Sequence, residues 1–250
     1  MKIMNVCLLA LLAFIGFVSA NLSAVIVDPL LNVVMLDSLL NARAALPLSY
    51  PIYVVTKEEF WPVLDFLKSL NIHVKKEVVV PATYNGYSDL LTSCSFWKTF
   101  DSPFILVFQA DSRFCSGSPH SVEYFMNMNL DWIGAPWHPM IDWNPLRELG
   151  SLVGNGGFSL RSKPAMLKCC GPPRYHFEDG HFVKCLRELG GRLASVKVAE
   201  EFSVENYFNS STHPFGVHKA YKYGYGNHTK LRVVCQEFVA LEMWHHRKFI

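Results

Sequence analysis

The stretch "FILVFQADS", residues 104–112, decides how the rest of the chain is read. Ile105, Leu106, Val107 and Phe108 form an unbroken apolar run. Such a run marks a strand buried on both faces, because a half-exposed strand alternates polar and apolar residues. The run stops on Gln109-Ala110-Asp111-Ser112, where an amide, a carboxylate and a hydroxyl replace hydrocarbon. In a sheet covered by helices on both sides, ligands bind beyond the carboxyl ends of the strands. Asp111 stands at such an end, so the tip is either a solvated turn or part of a site.

Upstream, strand and helix patterns alternate. "LSAVIVD" (22–28) is a buried strand closed by Asp28-Pro29. "LLNVVMLDSLLNARAAL" (30–46) puts Leu31, Met35, Leu39 and Ala42 on one helical face. "YPIYVVT" (50–56) predicts a second strand, and "KEEFWPVLDFLKSL" (57–70) a helix with Pro62 tolerated in its first turn. "IHVKKEVVV" (72–80) predicts a third strand, and "YSDLLTSCSFWKTF" (87–100) a third helix. Downstream, "LDWIGAPW" (130–137) predicts a short strand and turn, and "LVGNGGFSLRS" (152–162) a glycine turn entering a strand. "PAMLKCC" (164–170) and "FEDGHFVKCLRELGG" (177–191) predict helices, the second stopped by Gly190. "RLASVKVAEEF" (192–202) predicts a further strand. The alternation argues for an α/β fold with a mainly parallel central sheet and helices on both faces. No repeat or linker divides it, so one domain is expected.

Half of the 250 residues are hydrophobic, enough for a large core, which excludes a disordered chain. The formal charge of +2 supplies no basic field, so nucleic acid is excluded as a partner. Residues 1–20 predict a secretory signal: Lys2, the apolar run "VCLLALLAFIGFV" and the small-residue end Val18-Ser19-Ala20. The run is short for a membrane span, so no span is expected after cleavage; an uncleaved anchor is the alternative. Residues 21–250 would then form the mature domain. Without Cys7 six cysteines remain, an even number that suits disulfides, with the pairing open. Asn-x-Ser/Thr sequons at Asn21, Asn209 and Asn227 agree with a secreted chain or one in the ER/Golgi lumen.

Four constellations carry chemistry. The first is the strand tip at Gln109 and Asp111, whose oxygens suit Mn²⁺ or Mg²⁺. The second, Gly154-Asn155-Gly156-Gly157, is either a hairpin turn or a loop whose backbone approaches a ligand closely. The third, Glu178-Asp179, opens an amphipathic helix as capping anions or as a general base. The fourth is His218 in "HPFGVHKAY" (213–221), a structural or merely exposed histidine, or a metal ligand.

Their order resembles a family of uncharacterised domains placed near the GT-A glycosyltransferases. The residues that carry it are "SFWKTF", "VFQADS", "WIGAPW", "GNGGFSLRS", "FEDG", "EFSVE" and "PFGVHKAY", in order over almost the whole mature chain. The resemblance implies a GT-A-like (Rossmann-like) domain that transfers a sugar from a nucleotide-diphospho-sugar, UDP-sugar favoured, to a glycan or protein acceptor. It implies that Asp111 stands as the last acid of an Asp-x-Asp metal motif, with Gln109 in the first slot. Gln109, Asp111, Ser112, Asn155, Gly156 and Gly157 would bind the donor. Asp179, with Glu178 beside it, would be the catalytic pair, and Asp111 and His218 would hold Mn²⁺ or Mg²⁺. Neutral Gln109 departs from the metal motif by one negative charge. A catalytically silent sugar-binding protein on the same scaffold is the alternative, and a metal-dependent hydrolase using Asp111, His218 and Glu178 a third.

Overall fold

The computed structural model describes residues 20–80, 83–138, 152–173, 177–222 and 227–247. Apart from Ala20, the predicted signal segment lies outside them. The first half runs β1 (Leu22–Val27), α1 (Val33–Ala45), β2 (Ile52–Val55), α2 (Trp61–Leu64) and β3 (Ile72–Val74). It continues through α3 (Tyr84–Thr92), α4 (Cys94–Lys98), β4 (Phe104–Phe108), β5 (Ser112–Phe114) and α5 (Val122–Asn127). The second half has β6 (Trp132–Gly134), β7 (Phe158–Ser162), α6 (Lys163–Cys169), α7 (Glu178–Glu188) and α8 (Val196–Phe202). Short strands β8 (Ser203–Val204) and β9 (Gly216–His218) precede α9 (His228–Val234) and α10 (Phe238–Arg247).

Six strands form the central sheet in the order β3-β2-β1-β4-β7-β6. β1 pairs in parallel with β2 and β4, and β2 with β3, while β7 runs antiparallel between β4 and β6. This is the expected α/β domain with a mainly parallel sheet. Strand periodicity explains its two covers. Leu22, Ala24 and Ile26 of β1 and Leu106 and Phe108 of β4 pack with Met35, Leu39, Phe125 and Phe202 from α1, α5 and α8. The alternate residues Val25, Val27, Ile105 and Val107 pack with Leu91, Trp97, Met166 and Phe182 from α3, α4, α6 and α7. Each such buried side chain contributes about 1.5–3 kcal/mol.

Four readings of the sequence change. β3 ends at Val74, well short of Val80. The second helix is a four-residue α2 between 3₁₀ turns, with Pro62 in its first turn and no side-chain cap. The third is split at Ser93, whose backbone is extended and whose hydroxyl caps α4 at Phe96 N. Residues 196–202 are helix, where a strand was expected. Ser195 caps them at Val198 N, and Ala199 and Phe202 are buried at helical spacing. The cap outweighed the β-branched Val196 and Val198.

All six expected cysteines pair: Cys94–Cys170, Cys115–Cys235 and Cys169–Cys185. Disulfides are compatible with an oxidising compartment. Among the described residues no helix is long and apolar enough to cross a membrane. Cys115–Cys235 closes the longest loop, 120 residues, and ties the end of β5 to the α9–α10 junction. Replacing both cysteines by serine is expected to lower unfolding free energy by about 2–5 kcal/mol, read from urea denaturation.

Candidate active site

The sheet reverses direction at β1. The chain winds outward from it through β2 to β3, then returns to place β4 on its other flank. The carboxyl ends of β1 and β4 therefore open a crevice at the switch point. It has two lobes. One, about 390 Å³, is lined by Asp28, Asp111, Tyr221 and Trp244. The other, about 420 Å³, is lined by Asn155, Asp179, Glu205, Asn206 and His218. Gln109, Lys219 and Tyr87 border both.

The β4 tip is fastened to the glycine loop. Gln109 N donates to Gly157 O at 3.0 Å, and the Ser112 hydroxyl donates to the same carbonyl at 3.0 Å. β5 then pairs antiparallel with β9 so that Ser112 faces His218. The register delivers His218 to Asp111. Its Nε2 lies 2.9 Å from Gln109 Oε1 and 3.5 Å from Asp111 Oδ1. Its Nδ1 lies 3.3 Å from both Asn155 Oδ1 and Glu205 Oε1. Both ring nitrogens face acceptors, an arrangement that the doubly protonated, charged ring satisfies. Burial opposes that charge, but hydrogen bonds to Asp111 and Glu205 outweigh it and raise the pKa. Burial likewise opposes ionisation of Asp111. The hydrogen bond and charge of His218, with the charge of Lys219, hold its carboxyl well below the usual range. Gly157 is required here because a Cβ would overlap the His218 ring.

Lys219 turns the chain sharply after β9. Its φ of 50° is left-handed, which costs a non-glycine residue roughly 1 kcal/mol or more. Its N–H donates to Asp111 O at 3.1 Å. Its Nζ lies 2.9 Å from Gln109 Oε1 and 3.7 Å from Asp111 Oδ2.

The two acids at the start of α7 divide their roles. Glu178 is buried and accepts from Arg161 Nη2 at 3.0 Å. Arg161 is itself fully buried, donates to Gly156 O at 3.0 Å, and places its guanidinium 4.0 Å from the centroid of the Trp132 ring. Asp179 is half-buried on the cleft wall and accepts from Gly156 N and Gly180 N. Burial, then the charge of Glu178, pushes its carboxyl up to about 8. A carboxylate poised near neutrality matches general-base work.

The divalent ion expected from the sequence does not fit this arrangement. A ligating histidine needs a free ring lone pair, whereas both His218 nitrogens face oxygens. The Lys219 ammonium already faces the oxygens of Gln109 and Asp111. Among the described residues no group of three or more His, Cys, Asp or Glu side chains could hold a metal.

Of the residues expected at the site, Gln109, Asp111, Asn155, Gly157, Glu178, Asp179 and His218 line the cleft. Ser112 is buried with its hydroxyl turned to Gly157 O, so it supports the tip. Gly156 packs against Glu178 and Arg161, where a Cβ would collide. Glu178 is committed to Arg161. Lys219, Glu205, Tyr87 and Arg161 escaped the sequence reading. Lys219 directly follows His218, and Glu205 lies in the quoted "EFSVE", so those two had a signal.

A Rossmann-like α/β domain with a polar cleft at its switch point belongs to the class that binds ligands at strand ends. More narrowly, the chain belongs to the family described as protein of unknown function (DUF5672), whose profile matches residues 71–218, more than half of the chain. Comparison with curated proteins gives no match. One similar solved structure is the mannosyltransferase PcManGT from Pyrobaculum calidifontis in complex with GDP-Man and Mn²⁺. It is 11% identical with a TM-score of 0.49, over 71% of this chain and 55% of that one. The bifunctional IspDF from Campylobacter jejuni is 13% identical with a TM-score of 0.45, over 70% of this chain and 48% of that one. A 4-diphosphocytidyl-2C-methyl-D-erythritol synthase from Anaerococcus prevotii DSM 20548 is 13% identical with a TM-score of 0.43, over 69% and 86%. The chain spans about half the length of the first two.

Two substitutions test the geometry. Gly157→Ala forces the His218 ring to move and is expected to cost about 1–3 kcal/mol in urea denaturation. Asp179, with its pKa raised to about 8, keeps in the folded state a proton that the unfolded chain releases near the ordinary carboxylate range. Its contribution to stability is therefore full in acid and falls as pH rises toward about 8. Asp179→Asn should flatten that fall, seen as a smaller drop in Tm than wild type between acidic and alkaline buffers.

Proposed function

We propose that this protein is a glycosyltransferase of the secretory pathway, moving a sugar from a nucleotide-diphospho-sugar to an acceptor hydroxyl. The observation that carries the reading is a pair of adjoining pockets that share Tyr87, Gln109 and Lys219. They meet at the cationic junction of Gln109 and Lys219, and the second holds a carboxyl poised near neutral pH. The nucleoside of the donor, uridine for the favoured UDP-sugar, takes the first lobe beside Tyr221 and Trp244. The diphosphate lies at the junction, and the sugar extends towards Asn155 and Gly157. The acceptor hydroxyl, on a glycan or protein, enters beside Asp179.

In the transfer the bond from the anomeric carbon to the diphosphate oxygen breaks while the acceptor oxygen bonds to that carbon. The diphosphate leaves with the electron pair. In an inverting reaction the unprotonated form of Asp179 takes the acceptor proton; its raised pKa makes it a stronger base, and its ionised fraction grows as pH rises towards about 8. Glu178, held by Arg161, fixes the start of α7 so that Asp179 projects into the cleft. The cysteine pairs suit folding in an oxidising lumen.

The test is sugar release or transfer from a panel of UDP- and GDP-sugars, with wild type against Asp179→Asn. Turnover should fall about 100-fold or more, while UDP affinity changes less than about threefold. Wild-type kcat/KM should rise with pH towards about 8, the value of Asp179, a rise that the variant lacks. UDP binding without release from any donor would identify a silent sugar-binding protein instead.

A further inference from the structure

The junction between the lobes already contains a cation. Lys219 Nζ sits 2.9 Å from Gln109 Oε1 and 3.7 Å from Asp111 Oδ2, in the slot between the two side chains of the strand tip. Gln109 lacks the negative charge that a divalent ion would need as a partner, and a glutamine oxygen pairs naturally with an ammonium donor. The lysine is not there by side-chain flexibility alone. Its backbone adopts a left-handed conformation (φ 50°), and its N–H is fixed to Asp111 O at 3.1 Å. Such a conformation at a non-glycine residue persists where the surroundings impose it, and it clusters at functional sites. β9 ends one residue earlier, at His218, so the turn at Lys219 is what aims the ammonium into the cleft. Lys219 borders both lobes. It therefore stands where a ligand spanning them must carry its linking group.

We infer that Lys219 supplies the positive charge that binds the donor's diphosphate, and that nucleoside diphosphate binding needs no divalent metal. The inference rests on the glycosyltransferase reading, since it assigns the linking group of that donor. An ammonium is a point charge with three donors that suits phosphate oxygens. On binding, it exchanges the oxygens of Gln109 and Asp111 for those of the ligand. Asp111 and His218 then act as positioning residues, holding the turn, and not as metal ligands.

The experiment is isothermal titration of the mature chain with UDP and GDP, in EDTA and in Mn²⁺. UDP affinity should agree within about twofold between the two buffers. Lys219→Gly should weaken it at least tenfold in EDTA, and Lys219→Arg should retain most of it. Glycine accepts the left-handed backbone, so this variant removes the ammonium without straining the turn. Unchanged melting temperature would confirm that the fold survives. Affinity at least tenfold weaker in EDTA than in Mn²⁺ overturns the lysine assignment and leaves the transferase reading standing. So does full affinity in Lys219→Gly. Failure of both nucleotides to bind under every condition overturns both.

Discussion

A single buried imidazolium holds the cleft together. His218 has an oxygen partner on every side that can take a proton: Gln109 and Asp111 at Nε2, Asn155 and Glu205 at Nδ1. Those partners come from the β4 tip, the glycine loop and the segment after β8, regions far apart in the chain. A buried charge deprived of its partners costs several kcal/mol, so these regions are not free to move independently. The same ring dictates that residue 157 is glycine, and the β5–β9 register dictates that the ring faces the tip. The glycine loop is thus shaped by a side chain packing on it as much as by any ligand.

A second buried pair performs the matching service for α7. Glu178 and Arg161 bind each other, and Arg161 also lies against Trp132 and reaches Gly156 O. Successive residues of an α-helix point about 100° apart. When Glu178 is anchored inward, its neighbour must face elsewhere, and Asp179 faces the cleft. Adjacent carboxyls that look equivalent in sequence thus acquire opposite fates. One is neutralised by a guanidinium, and the other is left with its charge disfavoured by burial and by that first acid.

The fold was legible wherever apolar runs carried it. "AVIV" and "ILVF" are fully buried strand runs, and the helices at 33–45 and 178–188 follow their apolar spacing. Misreadings fell where local signals compete. Residues 196–202 carry β-branched valines, yet Ser195 caps a helix and Phe202 completes its inner face. Ser93 breaks an apparently continuous helix by capping the next one. In the site, Asp111, the glycine loop, Asp179 and His218 could be read because acid, glycine and histidine are chemically conspicuous. Lys219 and Glu205 carried a signal only through their place in the quoted segments, because lysine and glutamate are otherwise common surface residues. Their roles exist only through contacts with Gln109, across 110 residues, and with His218. Arg161 lies unremarked within the quoted "GNGGFSLRS"; only its burial beside Glu178 reveals its task.

The charges of the cleft, taken together, explain why a lysine at the junction and a raised pKa at Asp179 belong to one design. Asp111 and Glu205 are set against the two cations His218 and Lys219, and Glu178 against Arg161. With Asp179 carrying its proton the cleft is balanced before any ligand enters. An anionic diphosphate then meets no unpaired carboxylate. It draws Lys219 away from Gln109 and Asp111, which leaves Asp111 to His218 alone. Ionising Asp179 at that stage would add negative charge beside a diphosphate that is itself acquiring charge as it leaves. Asp179 must still release its own proton to solvent before the transfer, because a base takes the acceptor hydroxyl's proton only when its own site is empty. A base whose pKa lies far below neutrality would be ionised from the outset and would repel the donor. The burial that lifts Asp179 to about 8 strengthens it as a base and lowers its ionised fraction at neutral pH, so donor binding and base activation pull in opposite directions across that range.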